Sequence, residues 1–258
     1  MNAAHLGELL AILGAGTAAG AVNAAVGSGT LISFPVLLAT GLPPVTATVS
    51  NALGLIPGSI SGAIGYRAEL RGRRRHVLKW SAGAALGGLT GAALLLALPA
   101  SAFERIVPVL VGLALVLVAL QPLISRRLRD RRARKGRSVR PDGGPLLLVG
   151  LTLASVYGGY FSAAQGIIYV ALMGMLLDDG LQRLTAVKNV LVAVVNSVAA
   201  LFFLVVADFD WTAVALLAVG SAVGGHLGAT VGRRLPAAVL RAFIVVVGTV
   251  AIVQLVLR

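Results

Sequence analysis

Gly20-Ala-Val-Asn-Ala-Ala-Val-Gly27-Ser-Gly29-Thr-Leu-Ile-Ser-Phe-Pro35, followed by Gly41-Leu-Pro-Pro44 and Thr46-Ala-Thr-Val-Ser50-Asn51, is the stretch that decides how this chain folds. It is apolar enough to enter a bilayer, yet glycine, proline, hydroxyl and amide groups interrupt it repeatedly. Hydrocarbon offers no hydrogen bonds, so interrupted backbone at membrane depth survives only where it is buried in protein or lines a cavity. The pattern returns 139 residues later. Gly20, Ala24, Ala25, Gly27, Leu37, Leu38, Gly41, Leu42, Thr46 and Ala47 recur as Gly159, Ala163, Ala164, Gly166, Leu176, Leu177, Gly180, Leu181, Thr185 and Ala186. Interrupted apolar segments at matching places in two halves point to the binding site of a transporter.

Composition agrees. Hydrophobic residues make up 58% of the 258 and charged residues 12%, with a mean hydropathy of +0.94. Soluble domains carry about 25% charged residues, so the chain reads as an integral membrane protein. The net charge of +13 is concentrated: nine of the 22 basic residues fall between Arg126 and Arg140, and six more between Arg67 and Lys79. Both clusters sit between apolar runs, where the positive-inside rule places cytoplasmic loops. No aromatic platform or recognition motif accompanies the arginines, which argues against nucleic acid as a partner. With no cysteine, disulfides and thiolate metal sites are excluded. Met1–His5 lacks the basic region of a secretory signal peptide, so the first apolar run is expected to be a retained membrane segment.

Ten apolar runs can be marked, at 6–25, 28–41, 43–66, 77–98 and 104–124, then 146–164, 166–177, 184–206, 211–231 and 237–257. Runs 28–41 and 166–177 would reach only about 21 Å and about 18 Å as helices, too short to span. Each is expected as a half-helix, a re-entrant limb or a bent partner of the preceding run. Gly83, Gly87 and Gly91 match Gly220, Gly224 and Gly228, a four-residue spacing that reads as a helix-packing seam.

Charge orients the halves. Arg67–Arg75 reads as cytoplasmic, whereas its counterpart, Asp208-Phe-Asp210, has no basic residue and reads as external. The expected fold is therefore an all-α polytopic membrane protein of two inverted repeats with short broken helices near the midplane. The first repeat covers 1–125, the basic cytoplasmic linker 126–145 and the second repeat 146–258, with both termini external.

The duplicated motif, with Gly27-Ser28-Gly29, Pro35, Gly41-Leu-Pro-Pro44, Ala47-Thr-Val-Ser50-Asn51, Gly158-Gly159, Gly166 and Ala186-Val-Lys188-Asn189, resembles the sulfite exporter TauE/SafE family of bacterial membrane permeases. The likeness covers the chain except the basic linker. Family members often carry a run of glycines where this chain has Gly27-Ser28-Gly29-Thr30, and the second copy has Gly174 in place of Pro35. The resemblance implies transport of sulfite, thiosulfate or organosulfonates across the bacterial plasma membrane, with protons as the coupling ion and no cofactor.

Free N–H groups and the positive dipole end of a half-helix attract an anion, and glycine lets that backbone come close. Gly27, Ser28, Gly29 and Thr30, and Ser162, Gln165 and Gly166, each precede a short run and fit this description, with Asn23 and Asn51 flanking the first copy. The third run of the second half adds Thr185, Asn189 and Asn196 on one helical face with Lys188 beside it. Their counterparts are Thr46, Ser50, Pro57 and Val49. Lys188 supplies either a positive charge for the anion or a side chain that snorkels to the head groups. Pro57 and Asn196 are expected to mark a bend in each copy. His226 is a candidate proton relay, or a histidine bonded to nearby backbone. Trp80, Trp211 and Tyr66 are expected at the membrane interfaces; Tyr157, Tyr160 and Tyr169 are candidates to line a cavity. No paired acids, histidine cluster or activated nucleophile suggests an enzyme, and no metal site is expected.

The orientation is testable without removing any native cysteine. Gly72→Cys should react with a membrane-impermeant maleimide only from the cytoplasm and Phe209→Cys only from outside; labelling of both from one side would refute the inversion.

Overall fold

Apolar runs separated by glycine, proline and charge become helices because only helices satisfy backbone groups within one segment in lipid. The computed structural model describes residues 3–134 and 142–230, with positions 242, 245, 246 and 249 beyond them. In chain order the helices are α1 (Ala3–Ala25), α2 (Thr30–Ala39), α3 (Pro44–Gly54), α4 (Ile56–Gly65), α5 (Arg74–Ala97), α6 (Ala100–Arg134), α7 (Gly144–Tyr160), α8 (Gln165–Leu176), α9 (Leu181–Val206) and α10 (Trp211–Thr230). A 3-10 turn, Arg67–Leu70, precedes α5. Among the described residues there is no strand, and α1, α5, α6, α9 and α10 are long and apolar enough to cross a membrane. The protein is a polytopic integral membrane protein.

The short runs are indeed short helices: α2 has 10 residues and α8 has 12. Run 43–66 divides at Leu55, where α3 stops and α4 begins with Pro57 in its first turn, a place where a missing N–H costs nothing. The bend expected at Asn196 is different: α9 runs as one helix of 26 residues through that position. The basic linker is partly helical, since α6 continues to Arg134. Its residues 135–141, and run 237–257 apart from the four isolated positions, lie outside the described residues.

The largest helix interfaces join α1 to α10 and α5 to α7, followed by α10 with α4 and α5 with α9. Each therefore joins an element from one half to an element from the other. Glycine makes the first two possible. A Cβ at Gly224 would collide with the Thr17 carbonyl oxygen, and one at Gly228 with that of Ala21. Likewise Gly87 faces the Thr152 carbonyl and Gly91 that of Val156. In both seams the register advances in step, so α1 runs parallel to α10 and α5 parallel to α7. The seam reading of these glycines holds.

Trp80 and Tyr66 depart from the interfacial placement expected of them. Trp80 is 1% exposed, packed with Leu147, Leu151 and Tyr169, and Tyr66 is 3% exposed beside Ala186 and Ala229. Both lie where helices of the two halves meet, so the rings fill core rather than anchor at head groups. Trp211, at 62%, is exposed.

One end of the bundle is held by charge. Asp179, 5% exposed in the α8–α9 loop, accepts Arg73 at 2.8 Å and Arg183 at 3.0 Å on the same oxygen. Arg183 also donates to the Glu69 carbonyl at 3.3 Å. The α4–α5 and α8–α9 connections thus share one end. At the start of α7 the Gly144 N–H donates to Asp142, which holds that carboxyl below the usual range, and Lys79 lies 3.5 Å away.

A seam glycine should behave unlike a lipid-facing one. Gly224→Ala should lower the melting temperature of the detergent-purified protein. Gly14→Ala, whose Cβ meets nothing within 4 Å, should hold or raise it. Equal tolerance at both positions would contradict the packing.

Candidate functional site

α1 stops where Gly27 takes φ +91°, outside the range favoured by residues with a Cβ. α7 stops where Ser162 and Ala164 adopt φ 66° and 57°. Non-glycine residues in that region are strained and cluster at functional sites. The two breaks meet. Gly166 N–H donates to Gly27 O at 3.1 Å, and a Cβ on either glycine would stand within 2.6 Å of the other's Cα. From this junction α2 and α8 lead away, so the N-termini of two short helices flank one buried point.

The expected polar residues collect around it. Lys188, fully buried, donates to Asn23 O at 2.7 Å and Ala24 O at 3.1 Å, and Asn189 Nδ2 donates to Ala24 O at 3.3 Å. Of the two roles considered for Lys188, snorkelling to the head groups does not occur. Asn23 Nδ2 and Asn196 Nδ2 both donate to Ser59 Oγ, at 3.3 and 3.4 Å, and Ser162 Oγ donates to Asn196 Oδ1 at 3.3 Å. Asn51 reaches Thr30 Oγ1 at 3.3 Å and accepts Ser33 Oγ, fixing the first turn of α2 on α3.

On the α8 side, Gln165 Nε2 donates to Tyr169 OH at 2.6 Å; that hydroxyl lies 2.6 Å from Ser155 Oγ, which donates to Leu151 O. Tyr157 OH donates to Ala163 O at 2.6 Å. Two buried atoms facing this region have no partner among the described residues: Ser28 Oγ and Gln165 Oε1, each on a residue 1% exposed. A buried polar atom left unpaired costs about 1–3 kcal/mol unless something binds it.

Other candidates stand apart. Ser50 Oγ accepts the Asp210 N–H at 3.1 Å, tying α3 to the α9–α10 loop. Thr185 bonds back to Leu181 O at 2.9 Å within its own helix, and Thr46 is half-buried near the start of α3. His226 is exposed on α10 and lines a surface groove of about 740 Å³ with Arg67, Pro57, Ile60 and Ile64. Gly29 packs against the Ala19 carbonyl.

Sequence reasoning missed Ser59 and Ser33. The available signal was their polarity inside apolar runs, Ser59 following Pro57-Gly58. Among the described residues no three histidine or acidic side chains cluster as metal ligands would.

The sequence finds its match in known proteins. The model of the family described as sulfite exporter TauE/SafE matches residues 12–255. The chain belongs to the TauE/SafE family. It is similar to the probable membrane transporter protein YfcA of Escherichia coli K12, 27% identical over 238 residues that cover 90% of this chain and 83% of that one. It is similar also to a probable membrane transporter protein of Haemophilus influenzae, 27% identical over 226 residues covering 86% and 84%. A third relative, probable membrane transporter protein ORF9 of a Sinorhizobium species, is 25% identical over 237 residues covering 92% and 88%. No solved structure matches the chain.

The bridge at Ser59 should matter for stability. Ser59→Ala strands the buried Asn196 amide and the half-buried Asn23 amide and should cost about 1–3 kcal/mol, read as a lower melting temperature; an unchanged value would mean that the amides have other partners.

Proposed function

We propose that this chain is a secondary transporter that moves small sulfur-containing anions across the bacterial plasma membrane by alternating access, linked to the proton-motive force. The observation that carries this reading is the junction of the two breaks. Two helix N-termini, at Thr30 and Gln165, flank a buried point where Ser28 Oγ has no protein partner. N–H groups free at a helix start favour an anion. Membership in a family described as sulfite exporters, with relatives named probable membrane transporters, supports the class of activity. The substrate site in this reading comprises Asn23, Gly27, Ser28, Gly29, Thr30, Asn51, Ser162, Gln165, Gly166, Asn189 and Asn196, with Lys188 contributing positive charge. Ser50, Thr46 and Thr185 stand apart from it. His226, on the exposed face, remains a relay candidate only toward the lipid-side groove.

The two repeats, 1–125 and 146–258, are proposed to be inverted relative to each other, with the 126–145 linker cytoplasmic and both termini external. The parallel pairing of α1 with α10 supports this, because it starts α1 on the side of the acidic Asp208–Asp210 loop.

Uptake of labelled sulfite into proteoliposomes, with thiosulfate and small sulfonates as competitors, tests the function. A carrier gives saturable, trans-stimulated uptake; unsaturable flux would replace the carrier with a channel, and no flux by folded protein would remove transport of these anions. Ser28→Ala should raise the half-saturation concentration about ten- to a hundredfold, since a hydrogen bond to a charged group is worth about 1.5–3 kcal/mol.

A further inference from the structure

Lys188 raises a question that anion binding does not answer: its ammonium is aimed at carbonyl oxygens. Nζ lies 2.7 Å from Asn23 O and 3.1 Å from Ala24 O, carbonyls of the last turn of α1. Those oxygens are left over where the helix breaks, because Val26 and Gly27 both donate to Val22 O. The C-terminal end of a helix carries partial negative charge, and a cation is favoured there. No carboxylate forms a salt bridge with Lys188 among the described residues. The aliphatic stem is equally constrained. It passes the Gly27–Gly166 junction so closely that a Cβ on Gly166 would stand 2.7 Å from Lys188 Cδ, and one on Gly27 3.0 Å. Both glycines leave room for this side chain.

The repeat supplies a comparison inside the molecule. Ala163 is the counterpart of Ala24, and its carbonyl accepts the neutral Tyr157 hydroxyl at 2.6 Å. The counterpart of Lys188 is Val49. The carbonyl at this position of the repeat is therefore satisfied without charge in one copy, where it lies in the loop after α7, and by the buried Lys188 at the end of α1 in the other. The cation goes beyond what closing a helix end requires.

Carbonyls exposed at broken helix ends are also where secondary transporters hold an exchangeable sodium ion. We propose that Lys188 is a resident cation: its ammonium fills the carbonyl-lined position at the end of α1 that a coupling sodium would otherwise occupy, making transport by this chain independent of sodium. The sodium independence rests on the carrier reading above; the occupied cation site does not.

Melting in detergent, without substrate, tests the site by itself. Lys188→Ala should melt lower than wild type in choline buffer, and millimolar ethylammonium or sodium should recover much of the loss in a saturable way, since a ligand binding only the folded state stabilises it by mass action. Lys188→Met, whose apolar chain fills the same space, should melt lower and recover nothing. Wild type should melt alike in choline, sodium and ethylammonium, and its sulfite uptake should be the same in sodium and choline. Wild-type stability in Lys188→Met, indifference of Lys188→Ala to every cation, or sodium-dependent wild-type uptake would each overturn the proposal. Absent sulfite uptake in all buffers, with the melting pattern intact, would sink the anion reading and leave the cation site standing.

Discussion

A helix that stops inside an apolar layer leaves carbonyls at one end and N–H groups at the start of the next, and no solvent is there to take them. This structure places two such stops against each other. The Gly27–Gly166 bond joins them, Lys188 and Asn189 take the carbonyls of α1, and Tyr157 takes that of Ala163. The surrounding amides and hydroxyls then form short chains in which Ser59 accepts from both Asn23 and Asn196, and Tyr169 accepts from Gln165. Two of the buried atoms that stay unpaired, Ser28 Oγ and Gln165 Oε1, lie in the same neighbourhood.

Around that centre the packing depends on close backbone approach. Between helices in lipid there is little hydrophobic drive, so dispersion over glycine faces supplies much of the adhesion. The α1–α10 and α5–α7 seams use it alike, each joining a first element of one half to a fourth element of the other. At one end the shared carboxylate of Asp179 adds an electrostatic tie between the α4–α5 and α8–α9 connections. Because Asp179 is nearly buried, that tie is less screened by salt than a surface pair.

Much of this was legible in the sequence. The duplication, the short second element of each half, the positions of both breaks and the seam glycines follow from spacing and from the intolerance of lipid for open backbone. Several contacts were not legible, for a physical reason. In a water-soluble helix the polar face reveals which side is buried; here the lipid-facing and core-facing sides are both apolar. Leu86, exposed, and Leu95, buried, look alike on α5. Only glycine and polar residues mark the interior, and they do not say which partner they meet. Trp80 and Tyr66 went into the core for that reason, and Lys188 was placed on the right helix without its carbonyl partners being foreseen. Ser59 was overlooked because it falls off the stripe formed by Thr46, Ser50 and Pro57.

The α1–α10 seam also sets a schedule. Synthesis delivers α1 long before α10, yet the glycine face that covers Thr17 and Ala21 belongs to Gly224 and Gly228. Contacts so far apart in the chain form late and slow folding. During most of its synthesis the nascent protein therefore holds α1, with its broken end and open carbonyls, beside lipid or an insertion factor instead of its final neighbour. Lys188 itself arrives after most of the chain has been made, so the end of α1 spends that interval uncapped. The order of translation, more than any single contact, makes the first helix the last to be finished.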